Sequence, residues 1–196
     1  MDADGLTAAC ATTAEERAAR RAGLRAVLVG LAGANGLPGG ELVSFGLAGA
    51  LDGLPSGTVV DATRVVDERG ETLWEGAGLG VPGAVLGTIL AAERVVDEPA
   101  ERERLHRETG ADAADLESGP LARSGRLRGV VRAVGDTPER RLHGICDAVT
   151  PAGRYDWPGM ARAFARSPRG FARAAADGKR ALDALAAAAG RWEAHG

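Results

Sequence analysis

Two carboxylates stand where apolar sequence would draw them out of bulk water: Glu117 within ADLESGPLAR and Asp136 at the end of VVRAVGD. A carboxylate at the end of a buried strand is partly desolvated, which raises its pKa and keeps a proton available for donation. Asp136 is therefore a candidate general acid. The same position, just before Thr137-Pro138, also suits an aspartate that caps a helix, and spacing alone leaves both readings open. Glu117 offers two acceptor oxygens, which match the two donors of a vicinal diol such as that of a ribose. Its alternative is a first-turn helix acid favoured by the macrodipole. Glu15 and Glu16 have that same alternative, and at least one of them must only cap or face solvent.

Other residue types that carry chemistry are placed less suggestively. GLAGANG and FGLAGAL could bring backbone N–H groups to a phosphate, but neither completes GxGxxG or a lysine-bearing phosphate loop. Turn glycines at strand ends are the plainer reading. His106, His143 and His195 lack metal-ligand spacing, so no metal and no cofactor is expected. Cys10 and Cys146 are too few and too far apart for a disulfide framework and read as reduced, packed thiols.

The elements that must position these groups can be followed along the chain. ATTAEERAARRA (11–22) opens with Thr-x-x-Glu, either Thr12 with Glu15 or Thr13 with Glu16, and continues in helix formers. LRAVLVGLAG (24–33) and ELVSFGLAGAL (41–51) read as adjacent strands buried on both faces. Extended character returns at 57–70, 83–96 and 126–136, the last of these ending in Asp136. Residues 98–109 read as a solvated, charge-rich helix with Gly110 after it. The tail, 157–195, is helical by composition and is broken near Pro168 and Gly170. Such alternation predicts a largely parallel or mixed sheet, with ligands at the carboxyl ends of its strands.

Size and composition set the outer limits. At 196 residues, with 45% hydrophobic and 26% charged residues, the chain is read as a single domain (1–196) that folds on its own. A net charge of −3 supplies no basic field for a phosphate backbone, so a small molecule is expected as partner and nucleic acid is not. No apolar run approaches the ~20 residues of a membrane helix, and no leader pattern opens the sequence; the expected location is cytoplasmic.

SFGLAGALDGLPSGTVV, GADAADLESGPLAR and GVVRAVGDTP, in this order and spacing, resemble three blocks of the nucleoside phosphorylase and nucleosidase superfamily. The pattern is most similar to the hopanoid-associated phosphorylase, or adenosylhopane nucleosidase, branch, and more distantly to methylthioadenosine/S-adenosylhomocysteine nucleosidase and futalosine hydrolase. The resemblance implies a three-layer αβα sandwich with a mixed central sheet, assembled as a homo-oligomer. By resemblance, Asp136 is the acid at purine N7, Glu117 holds the ribose hydroxyls and Leu116 packs under the sugar. Glu15, with Glu16 as the alternative one register away, activates water, and Ala48 and Gly49 form the turn beside the base.

The implied reaction is cleavage of the N-glycosidic bond of a purine nucleoside whose 5′ position carries an apolar group. This sequence also has its own features. Leu47 replaces a hydroxyl residue, Ala50 a glycine, and Val95 the aromatic that stacks on the base. GETLWEGAGLGVPGA, with Trp74, is short and is expected to form a different substrate wall. With no arginine in GLAGANG or SFGLAGAL, hydrolysis is favoured over phosphorolysis. The alternatives are a nucleoside-binding or regulatory protein without turnover, and a phosphorylase or pathway enzyme acting on an unrelated nucleoside-like metabolite.

Overall fold

The computed structural model describes residues 5–139, 142 and 148–193. Cys146, His143 and His195 lie outside the described residues. The chain runs β1 (Thr7–Cys10), α1 (Thr13–Arg21), β2 (Ala26–Leu28), a 3-10 turn (Leu31–Gly33), β3 (Leu42–Ala50), β4 (Val59–Val66), β5 (Thr72–Glu75), β6 (Val85–Ala91), α2 (Pro99–Thr109), β7 (Ala113–Asp115), α3 (Ser118–Arg123), β8 (Leu127–Asp136), α4 (Trp157–Arg166) and α5 (Pro168–Glu193).

Among the described residues, eight strands form one mixed sheet. β3 runs parallel to β8 from Leu42 to Gly49, β8 is antiparallel to β4, and β4 is parallel to β6. β6 is parallel to β7, and β7 returns antiparallel to the last two residues of β3. The pairings thus close a ring, β3-β8-β4-β6-β7, which leaves no open edge among these strands. β1 and β2 extend it from β3, and β5 from β4.

The pleat sorts side chains to the two faces. Ala8, Cys10, Val43, Phe45, Val131 and Ala133 pack with Ala18 of α1 and with Ala181 and Leu185 of α5. Ala9, Leu42, Val60, Ile89 and Val130 point the other way, toward Leu121 and Ala122 of α3. The facing helix positions are largely alanines, so α1 and α5 can lie close to the sheet and to each other. Leu105 brings α2 against Val66, Leu90 and Val96.

Several expectations change. Within 24–33 only Ala26–Leu28 is strand, and it is a half-buried edge rather than a strand covered on both faces. It does not adjoin β3, because β1 lies between them. β1 (TAAC) and β7 (AAD) are short and alanine-rich, so propensity gave no sign of them. No helix among the described residues is long and apolar enough to cross a membrane.

Candidate active site

The carboxyl ends of β1, β3, β6, β7 and β8 converge on a cavity of about 660 Å³. Glu15, Ala48, Gly49, Val95, Leu116, Glu117 and Asp136 all line it. The positions singled out in the sequence therefore meet in one space, although they span 122 positions of sequence, from 15 to 136 inclusive.

Glu15 is the third residue of α1, where Thr12 caps the helix in a reciprocal box. Glu15 Oε2 accepts the Thr12 backbone N–H at 2.8 Å, and the Thr12 hydroxyl accepts Glu15 N–H at 3.3 Å. The other oxygen, Oε1, accepts the Leu47 backbone N–H at 2.7 Å, which ties α1 to β3. Capping and a place in the site are thus not alternatives here, since one carboxylate does both. Glu16 points elsewhere and pairs with Arg20 at 2.7 Å. Gly46 is needed for the close approach of Glu15: a Cβ there would collide with the Glu15 carboxyl and the Arg132 guanidinium.

Glu117 precedes α3 without capping it through its side chain. Its Oε1 accepts the Ala32 N–H at 3.1 Å, and Oε2 lies 3.3 Å from Arg132 Nη2. Ala32 makes this donation from a left-handed conformation (φ 50°), which costs a non-glycine residue on the order of 1 kcal/mol. Burial pushes the Glu117 carboxyl up to about 7; Arg132 and the Ala32 N–H oppose this, while Asp115 and Glu15 reinforce it.

Arg132 is the centre of the network and was missed in the sequence, although a lone cation inside VVRAVG is itself a sign of buried charge. It is fully buried, with Nε 2.6 Å from Asp115 Oδ2 in an ion pair whose alignment is not that of a hydrogen bond. Nη2 donates to Ser44 Oγ at 2.6 Å and Nη1 to the Leu47 carbonyl at 3.2 Å. Ser118 completes the floor, lying 3.0 Å from Ser44 Oγ and donating its N–H to Asp115 Oδ1 at 2.9 Å.

Asp136 reaches the cavity through a β-bulge: Ala48 pairs with Val134 and Gly49 with Asp136, so Gly135 is the extra residue. Bulges re-aim side chains in this way. A Cβ on Gly49 would sit 3.0 Å from Asp136 Oδ2, so the bulge and this glycine let the two strand ends close on one another. The helix-cap reading is not realised, because Thr137–Glu139 is not helical. Instead, Asp136 Oδ2 forms a buried ion pair with Arg102. Arg102 also donates to the Ala50 carbonyl at 2.9 Å and to the Val96 carbonyl at 3.0 Å. Burial raises the Asp136 pKa, Asp97 adds to this, and the charge and hydrogen bond of Arg102 act against it.

Two expectations are corrected at this point. The 98–109 helix is not simply solvated, since Arg102 is buried on its inner side. Trp74 does not line the cavity; its Nε1 donates to the Leu127 carbonyl at 3.1 Å, and the ring packs against the sheet-and-α3 core.

The far side of the cavity comes from the tail: Tyr155, Met160 of α4, and Phe171 and Leu182 of α5. Val95, 40% exposed, lies among the lining residues where an aromatic was expected by resemblance. Cys10 is a buried free thiol whose pKa burial drives upward, which disfavours the reactive thiolate. Among the described residues, no group of three or more His, Cys, Asp or Glu side chains is placed to hold a metal.

No family model and no curated protein matches this chain. Solved structures do match along nearly its whole length. A Helicobacter pylori 5′-methylthioadenosine/S-adenosylhomocysteine nucleosidase, solved with butyl-thio-DADMe-Immucillin-A, aligns at a TM-score of 0.64 and 12% identity, covering 97% of each chain. The futalosine hydrolase of H. pylori aligns at 0.59 and 13%, covering 93% of this chain and 94% of that one. The Arabidopsis thaliana 5′-methylthioadenosine nucleosidase aligns at 0.58 and 14%, covering 97% and 94%. The chain has the mixed α/β fold of these nucleosidases.

Proposed function

We propose that the chain is a purine nucleosidase that hydrolyses the N-glycosidic bond of an adenosine-type nucleoside with an apolar 5′ substituent. The fold is read as the three-layer αβα sandwich of that superfamily, with the hopanoid-associated branch as the nearest analogy. The carrying observation is the convergence of Glu15, Glu117 and Asp136 on one cavity, of a size usual for small-molecule sites.

In this reading Arg102 grips Asp136 Oδ2 and leaves Oδ1 to meet purine N7. Asp136 donates its proton as the C1′–N9 bond breaks and its electron pair leaves with the base. Glu117 accepts from the ribose hydroxyls, while Leu116 and the end of β3 at Ala48 and Gly49, which is strand rather than the turn implied by resemblance, bound the sugar and base. Glu15 holds a water against the developing oxocarbenium ion and takes its proton as the oxygen joins C1′.

Phosphate is disfavoured as nucleophile for a physical reason. The backbone N–H groups of Ala32 and Leu47, donors that the two glycine-rich segments could offer an anion, already serve the carboxylates of Glu117 and Glu15. The apolar 5′ group is assigned to the wall of Tyr155, Met160, Phe171 and Leu182. A homo-oligomer in the cytoplasm remains part of the proposal by analogy with the superfamily.

A second reading, binding without turnover, is favoured by one observation: the charge and hydrogen bond of Arg102 favour the ionised form of Asp136 against the upward pull of burial, which opposes proton donation. Base release measured across a panel of purine nucleosides, with and without phosphate, separates the readings. Release in phosphate-free buffer is expected. Strict phosphate dependence would make the chain a phosphorylase, and saturable binding with no release would establish the second reading.

A further inference from the structure

Helix α4 is built inside out. Its inward positions are small, with Gly159 and Ala163 buried and Met160 half-buried, while its large aromatics face solvent. Trp157 is 75% exposed and Phe164 53%, and Tyr155, just before the helix, is 49% exposed. Trp157, Ala161, Phe164 and Ala165 follow the i, i+4, i+7, i+8 spacing of a single helical face, and all four are exposed. Phe164 meets Phe171 of α5 edge to face at 6.0 Å, so the apolar surface continues onto the start of α5. A contiguous exposed patch of this kind marks an interaction surface.

The charge around it is equally uneven. Residues 154–173 contain Arg154, Arg162, Arg166, Arg169 and Arg173 against one acid, Asp156, in a chain whose overall charge is −3. All five arginines are exposed. Asp156 caps α4 by accepting the Gly159 N–H at 2.9 Å, and it lies 3.5 Å from Arg162. The remaining acids nearby are engaged locally, Asp177 with Arg180 at 2.7 Å and Asp183 with Lys179 at 2.6 Å. The patch is therefore an apolar, aromatic face set among cations.

We propose that the α4 face docks on an anionic lipid surface, with Trp157 and Phe164 entering the headgroup boundary and the arginines meeting lipid phosphates. Aromatic and aliphatic side chains on one helix face, with arginine beside them, are the chemistry of interfacial helices. The arginines add attraction to an anionic leaflet. A second copy of this chain is the poorer partner, because a two-fold contact through α4 would bring its own Arg162 and Arg166 near the same arginines of the copy. The same segment supplies Tyr155, Met160 and Phe171 to the cavity wall, so docking would set the apolar side of the cavity next to the membrane. Docking through α4 does not require nucleosidase activity.

The test is flotation of the full chain with phosphatidylcholine vesicles and with vesicles in which phosphatidylglycerol replaces part of the phosphatidylcholine. Binding is expected to the anionic vesicles only, and to be lost at high salt. The pair Arg169→Glu and Arg173→Glu should weaken it roughly 10-fold or more. Trp157→Ser with Phe164→Ser should do the same while circular dichroism and the melting temperature confirm that the protein is folded. Equal recovery with neutral and anionic vesicles, or no flotation with either, overturns the proposal. So does a concentration-dependent dimer in vesicle-free buffer that Trp157→Ser disrupts, which would assign the face to a second copy.

Discussion

On the floor of the cavity three charged side chains are each held at two points or more. Glu15 is fixed by Thr12 and Leu47, Glu117 by Ala32 and Arg132, and Arg132 by Asp115, Ser44 and Leu47. Most of these anchors are backbone groups of the sheet or of its end-loops. The far wall is different: Tyr155, Met160 and Phe171 belong to a tail segment whose α4 packs chiefly on α5. A rigid, low-dielectric frame suits groups that must meet fixed atoms of a base and a ribose. An apolar wall on a lightly packed helix suits a substituent recognised by size and hydrophobicity. Substitutions on the two sides should accordingly fail in different ways.

The largest effect is expected at Arg132. Removing it in Arg132→Met leaves Asp115 and Glu117 buried without their cation, which typically costs about 3–5 kcal/mol. A fall in melting temperature on the order of 10 °C should follow, and unfolding by heat or urea measures it. A change of only one or two degrees would show that the floor is not a stability centre.

Asp136→Asn should drop base release ~100-fold or more, and because it leaves Arg102 buried without its carboxylate the melting temperature should fall as well. The amide is nearly isosteric but has no proton to give. Rates and melting curves on the same preparation check this, and wild-type turnover would remove Asp136 from the acid role.

Glu117 sharpens the comparison through pH. Its carboxyl is lifted from its ordinary value of 4.5 to about 7, so on its account stability is greatest below pH 4.5 and declines as pH rises through 7. Binding should run the other way, because a ribose diol donates best to the ionised carboxylate: nucleoside affinity should rise through pH 7. Calorimetric titration across pH 5.5–8.5 should show that rise in the wild type, and Glu117→Gln should flatten it and reduce the preference for ribose over 2′-deoxyribose.

On the wall the expected effects are smallest. Phe171→Leu should leave affinity for unsubstituted adenosine within about twofold, while weakening binding of a nucleoside with a long apolar 5′ group several-fold, as loss of part of a buried aromatic surface requires. An equal loss for both ligands would place Phe171 beside the base or sugar.

How far the sequence alone led differs between these regions in the same way. Glu15, Glu117 and Asp136 stood out as acids beside a capping motif or apolar sequence, but local pattern left a capping or first-turn role open for each, and only the resemblance of the three blocks implied that they share a site. What Asp136 pairs with was not legible, since Arg102 lies 34 positions away in a helix whose surface is otherwise charged. β1 and β7 escaped notice because they are three or four residues long and are held by their neighbours rather than by propensity. The tail read correctly as two helices, yet composition could not say that one side of it closes a cavity and the other exposes Trp157.

The account rests most heavily on Glu15 directing water to the anomeric carbon. The direct measurement is a single-turnover reaction in ¹⁸O-labelled, phosphate-free water with an adenosine carrying an apolar 5′ group, run for the wild type and for Glu15→Gln. Free sugar with one ¹⁸O at C1, formed by the wild type and slowed ~100-fold or more in the variant, is the predicted result. Release of base at equal rates by both proteins, or none by either while the nucleoside is bound, would contradict it.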